Sequence, residues 1–345
     1  MLVVSKVSLL RACLTTLVGM LNSSAPSWKG LAVLLALAAA LVFLASLLIG
    51  SSGIGLRQAA GALFGRGDEA ARNVMIVVRL PRVLAAFGVG SLLALSGVLL
   101  QALFRNPLAD PYVLGVSGGA AVGGLLAMIA GAAVVVVQSA AVVGALSAVS
   151  IVYLLARGGG TPRLLLTGVA LASACGAIIS VLMAVADASR VRGMMFWLAG
   201  DLEWASNPWT SALAAVIAVI LAVVIARPLN VLAAGELRAR SVGLRLEAWR
   251  TLLFLACAVL TAIAVVSAGT VGFVGLITPH AVRLTFRTSD HRIVAPASAL
   301  FGGTLLAAAD LVARTIVSPR QLPVGAIMAI VGAPLFIALL RGRGR

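Results

Sequence analysis

Charge is scarce in this 345-residue chain: 10% of residues are Asp, Glu, Lys or Arg, against 62% hydrophobic and a mean hydropathy of +1.15. A soluble domain carries about a quarter charged residues, so a secreted soluble protein is excluded and lipid is the main solvent. Histidine is reduced to His280 and His291, and the three cysteines, Cys13, Cys175 and Cys257, lie far apart. Neither a metal site nor a disulfide framework is expected from them, and no cofactor is called for; the cysteines within apolar runs read as small buried residues. No G-x-x-x-x-G-K-[ST] occurs, so the chain holds no ATP through a P-loop, and no H-E-x-x-H supports zinc proteolysis. Acids within the apolar runs are nearly missing. Because ionisable groups inside a membrane are functional by default, their scarcity argues against a proton-coupled carrier, a pump relay or an intramembrane enzyme.

Long apolar runs are present instead. Only helices and closed barrels satisfy backbone polar groups in a bilayer, and continuous rather than alternating runs select helices. The expected fold is an all-α polytopic membrane protein. Windows of spanning length fall near 31–49, 83–104, 113–133, 134–155, 164–186, 209–226, 251–269, 293–313 and 324–340, with a shorter piece at 271–282 broken by Gly272, Gly275 and Pro279. That makes about ten crossings. The run after Lys29 exceeds a signal-peptide core and more spans follow it, so it reads as the first membrane helix. Residues 1–30 form an N-terminal segment without assigned function, and 31–345 form one transmembrane domain.

The net charge of +16 comes almost wholly from Arg placed at span ends, as the positive-inside rule produces. No basic stripe carries interleaved aromatics, so nucleic acid is not a partner. Placing both termini in the cytoplasm puts most Lys and Arg inside. The outer face still keeps Arg57, Arg66, Arg72, Arg79, Arg82, Arg190, Arg192, Arg314 and Arg320, and that surplus predicts an acidic partner outside. The longest polar loop, 227–250, reads RPLNVLAAGELRARSVGLRLEAWR. It predicts short surface helices joined at Gly235 and Gly243, with Glu236 and Arg240 sharing a face at i,i+4. Such a loop is either a solvated connector or a docking surface for a cytoplasmic motor.

Two interruptions stand out. Gln101, then Arg105-Asn106-Pro107 and Asp110-Pro111, break the second and third spans, where Pro removes a backbone donor and Asn caps a new helix. The stretch from Gly269 to Arg292, with Pro279, has a similar rhythm of small residue, short helix, break and polar turn, consistent with internal repeats. Asp310, the one acid expected within a span, stands four residues before Arg314, at the spacing of a local ion pair. Small residues recur every four positions at Gly115, Gly119 and Gly123, at Gly168, Ala172 and Gly176, and at Gly325, Ala329 and Ala333. Such ridges let helix backbones approach closely, either within one subunit or, for the last two stripes, across a homodimer axis.

The stretches RLPR, SGVLLQALFRNPLADPYVLGVSGGA, GTVGFVGLITPHAVRL, DHR, ADLVAR and LPVGAIMAIVGAPLF together resemble the FecCD-type permeases of bacterial ABC importers. The likeness runs from about residue 31 to the end of the chain, with the motifs in family order. It implies a homodimer in the inner membrane, with ten spans per subunit and the cargo path on the dimer axis. Two copies of a separate ATPase would bind below and a soluble binding protein outside. By that likeness Glu236, Arg238, Arg240 and Gly243 belong to the loop that couples to the ATPase. Arg314, with one or more of Arg57, Arg66 and Arg72, matches the arginines that engage acidic groups of the binding protein. Arg192, Phe196 and Trp197 fall at the family's outer mouth, where a cation beside aromatics suits a flat anionic ligand such as haem. The expected cargo is an iron complex, siderophore or haem, ahead of cobalamin. One departure is Gln321, where relatives usually carry Glu before Leu-Pro.

Overall fold

The computed structural model describes residues 28–50, 54–63, 69–157, 159–204 and 207–341. Among these residues the regular structure is helical throughout, with no strand. In chain order the helices are α1 (Trp28–Leu48), α2 (Leu56–Leu63), α3 (Glu69–Phe104), α4 (Val116–Ile129), α5 (Val134–Ala156), α6 (Gly160–Val185) and α7 (Ala188–Leu198). They continue as α8 (Pro208–Val224), α9 (Ala226–Ala233), α10 (Glu236–Ser241), α11 (Leu246–Ala268), α12 (Val274–Phe286), α13 (His291–Thr315) and α14 (Val324–Arg341).

The expected windows become helices, and the punctuation residues end them. Asn207 caps α8 by accepting from the Trp209 N–H, with Pro208 in the first turn. Asp290 caps α13 through the Arg292 N–H, and Asp110 caps a short turn at Pro111–Leu114 through the Tyr112 N–H. Asn and Asp serve there because a short side chain reaches the unpaired donors of a first turn. Arg105 ends α3 with φ of +49°, a left-handed conformation that breaks the helix without proline.

Among the described residues six helices are long and apolar enough to cross a bilayer, or seven if α8 and α9, bent by 63°, form one span. The shorter apolar elements are α4, the apolar part of α14 at Val324–Leu339, and the proline-interrupted α12. The shortness of α4 and α12 follows from the breaks at 105–115 and 269–273, which divert chain length into turns. Helix α3 is the axle of the bundle: 83% of its most apolar window is buried, against 11% for α6 and 17% for α1. It packs on α8, α11, α12 and α13. Contact that close needs glycine. A Cβ at Gly90 would overlap the Gly302 backbone of α13, and one at Gly97 would overlap the Gly275 carbonyl at the start of α12. The apolar surfaces of α1, α6 and α8 stay exposed, including Leu41, Leu166, Val185 and Val216, as lipid-facing helices require.

Candidate functional site

Three polar constellations interrupt this apolar bundle. The first lies at the end that carries the last turns of α1 and α13. The final carbonyls of a helix have no partner of their own, and α1 delivers three of them to arginines. Arg79 Nη1 donates to Leu47 O (2.8 Å) and Leu48 O (2.9 Å), and Arg314 Nη2 donates to Ser46 O (2.6 Å). A π-helical turn at Val74–Arg79 widens α3 where Arg79 leaves it. Arg82, one turn on, binds Asp310 through Nε at 2.9 Å and Nη2 at 2.9 Å, and its Nη1 donates to Gln321 Oε1 at 2.7 Å. Glu203 stands 3.7 Å from the same guanidinium. The expected i,i+4 pair is present, with Arg314 Nε 3.5 Å from Asp310 Oδ2, but Arg82 is the nearer partner of that carboxylate.

Arg314 departs from expectation. It does not stand on the surface as a docking cation; it is 4% exposed and spent on Asp310 and the α1 terminus. An arginine aimed into the bundle satisfies helix carbonyls that hydrocarbon could not. Arg57 on α2 and Arg72 in the first turn of α3 are exposed, and Arg66 lies outside the described residues. Gln321 still supplies an acceptor here: its amide oxygen takes the Arg82 Nη1 hydrogen bond, though without the charge a carboxylate would add.

The second constellation joins the two sequence breaks, which are in contact. Gln101 Nε2 donates to Gly275 O and Leu276 O, both at 3.3 Å, while its Oε1 accepts from Arg283. The Val271 N–H donates to the Tyr112 hydroxyl at 2.7 Å, and Pro111 packs against Gly275. Asn106 accepts from the Leu108 N–H and tightens the turn before Pro107. Pro279 is buried inside α12. Irregular backbone is tolerated in a membrane only where protein or a water-filled path satisfies it, and here protein groups do so.

The third constellation is the 227–250 segment. Gly235, with φ of +115°, turns the chain between α9 and α10, and Gly243, with φ of +77°, turns it again before α11. Helix α10 rests on buried Ala239 and presents Arg238 and Arg240 outward. Glu236 binds Arg250 of α11 and Arg105 at the end of α3, the latter at 3.2 Å. Sequence reasoning missed the apolar tips of this surface: Leu237 is 87% exposed and Val242 62% exposed. Their spacing signals nothing in the sequence; in the fold they stand on the same segment as the exposed Arg238 and Arg240.

At the third expected region, α7 places Arg192 5.8 Å from the Phe196 ring, with Arg192 exposed and Phe196 half-buried. Trp197 corrects the expectation. It turns inward, 1% exposed, with its ring against Gly124, so it does not line a path in this subunit. The small-residue stripes divide. Gly119 and Gly123 of α4 face Gly144 and Ala140 of α5, Gly168 meets Val113, and Gly325 meets Ala199 and Thr270, all within one chain. Ala172 borders Gly118 and is half-buried, like Ala333, whereas Gly176 and Ala329 face outward. No group of three or more His, Cys, Asp or Glu side chains placed to hold a metal ion occurs among the described residues.

A helical bundle with broken helices, an arginine-held end and a polar helical elbow at the other end defines a polytopic permease. The sequence model of the FecCD transport family matches residues 34–342. The chain belongs to that family, as an ABC importer permease and a multi-pass protein of the inner membrane. It is 46% identical over 283 residues to the cobalamin import system permease protein BtuC of Halobacterium salinarum, covering 80% of this chain and 75% of that one. It is 40% identical over 274 residues to the vitamin B12 import system permease protein BtuC of Klebsiella pneumoniae, covering 78% and 82%. A metal-chelate type ABC transporter solved in an inward-facing conformation matches with a TM-score of 0.79 at 30% identity, over 89% of this chain and 97% of that one.

Proposed function

We propose that this chain carries cobalamin or a related corrinoid into the cell, as one of two identical membrane subunits served by two copies of a separate ATPase and a soluble binding protein. The observation that carries the cargo is the 46% identity to a cobalamin import permease, joined by 40% identity to a vitamin B12 permease. It favours cobalamin over the iron complex expected from the mouth residues. An iron chelate is the second reading, favoured by the likeness to the metal-chelate type transporter. Reconstitution with the cognate ATPase and binding protein tests both. Cyanocobalamin uptake that requires ATP and resists competition by haem and ferric siderophores supports the first. ATP-driven uptake of haem or a siderophore alone transfers the assignment to iron. Gradient-driven uptake by the chain alone would sink the ABC assignment.

In this reading ten spans place both termini in the cytoplasm. The Arg79–Arg82 end is outer, and Arg57 and Arg72 meet acidic groups of the binding protein there. Arg66 belongs to the same proposed set. Arg314 serves docking indirectly, through the α1 terminus it holds. The inner α10 surface, with Arg238, Arg240, Leu237, Val242 and the Gly243 turn, receives the ATPase. Its stroke swings packed helices between outward- and inward-open states.

Glu236 tests the coupling role. Its ion pairs are partly exposed (side chain 37% exposed), and exposed pairs are worth about 0–1 kcal/mol, so Glu236→Ala leaves the bundle folded. Expected instead is unchanged detergent stability with transport reduced about tenfold, a coupling loss of about 1.4 kcal/mol. Uptake at the original rate would remove Glu236 from the coupling surface. The outward-facing Gly176 tests the dimer axis: Gly176→Leu weakens pairing of copies while leaving each copy folded, because nothing in this chain lies within 4 Å of an added Cβ.

A further inference from the structure

We propose that Asn230 is a positioning residue of the transport cycle, latching the helix that carries the coupling segment onto the first turn of α13. The inference rests on the importer reading above. Helix α9 leads directly into α10 and buries Ala226, Leu229 and Leu232. From its side Asn230 spends both ends of its amide on one target. Nδ2 donates to Asp290 Oδ1 at 2.7 Å, while Oδ1 accepts the His291 backbone N–H at 2.9 Å and lies 2.6 Å from His291 Nδ1. The same Asp290 oxygen caps α13 through the Arg292 N–H at 3.0 Å. The Arg292 N–H and then the Asn230 amide hold the Asp290 carboxyl below the ordinary carboxylate range, so the acceptor is ionised at neutral pH.

This link differs in kind from the ion pairs of Glu236. Arg105 and Glu236 have side chains 46% and 37% exposed, so water competes for that pair, and the closer Glu236–Arg250 pair ties α10 to α11, not to α13. The Asn230 amide is planar and engages with both donor and acceptor, which fixes direction as well as distance. It also grips a helix that crosses the whole bundle. Helix α13 is 25 residues long and ends at Asp310 and Arg314, the groups that hold Arg82 and the end of α1. A displacement of α10 is therefore delivered through α9 and Asn230 to a single rod, and by it to the opposite end. Beside the latch lies a cleft of about 680 Å³ bordered by Asn230, Asp290, His291, Arg105 and Arg283.

The test uses the full complex of permease, ATPase and binding protein in liposomes and reads ATP hydrolysis with and without binding protein. Asn230→Asp sets one carboxylate against another. Basal hydrolysis and binding-protein affinity should persist while stimulation by the binding protein falls about tenfold, within the usual range of site-to-site coupling. Adding Asp290→Asn exchanges the two side chains, restores one donor facing one acceptor, keeps an N-cap, and should return the stimulation. The latch is overturned if Asn230→Asp leaves stimulation intact, if basal hydrolysis falls in parallel, or if the exchange fails to rescue. An unsubstituted complex that the binding protein does not stimulate would overturn the importer reading and the latch with it.

Discussion

Replacing Asp310 with leucine is expected to unfold the end of the bundle that holds the last turns of α1 and α13 before it affects cargo. The carboxylate is 1% exposed and lies between two guanidiniums, Arg82 with its side chain 11% exposed and Arg314 at 4%. Taking one partner from a buried ion pair leaves an uncompensated charge and costs about 3–5 kcal/mol. Arg314 loses its acid partner while Arg82 keeps the more distant, exposed Glu203 at 3.7 Å, so the loss should fall within that range. Arg314 would be drawn away from Ser46 O and would release the end of α1. Asp310→Asn separates charge from shape. It keeps an acceptor for Arg82 and should lose distinctly less than leucine. Gln321→Glu should be tolerated, because Arg82 Nη1 already donates to that position. Unfolding by a strong detergent, followed by tryptophan fluorescence, reads all three. Equal stability of the leucine variant and the parent would refute the clamp.

The second large effect is steric. Gly97→Val places a branched side chain where α3 touches the Gly275 carbonyl. Overpacking a well-filled core costs about 1–3 kcal/mol when side chains can adjust. Backbone atoms cannot adjust that way, so α3 and α12 must separate. The separation would also pull Gln101 from Gly275 O and Leu276 O, leaving buried carbonyls unpaired. The expected outcome is a sharply reduced yield of folded permease in the membrane. Gly176→Ala, on an open face, should leave yield unchanged. Comparable yields for the two variants would show that the close approach of α3 and α12 is not needed.

Much of the architecture was legible before any tertiary structure. Apolar windows, Pro and Asn interruptions and the Gly-flanked 233–244 segment are local signals, and each became a helix, a turn or an elbow where expected. The breaks at 105–115 and 269–275 resembled each other in rhythm, yet nothing in that rhythm said that Gln101 would bond across the gap. Arg314 misled for the same reason. An arginine at a span end looks identical in sequence whether it meets a binding protein or the carbonyls of a neighbouring helix. Trp197 likewise stands at a boundary position in sequence and under Gly124 in space. Asn230 carried no signal at all, because its partners lie about sixty positions away.

Composition and hydropathy alone determined that this chain lives in lipid as a bundle of helices, since solvation by hydrocarbon constrains every residue independently of its neighbours. Which arginines face outward, which glycines sit against a neighbouring backbone and which amide ties α9 to α13 was decided only by tertiary packing. Those properties belong to pairs of residues distant in sequence, and only the fold brings the pairs within reach.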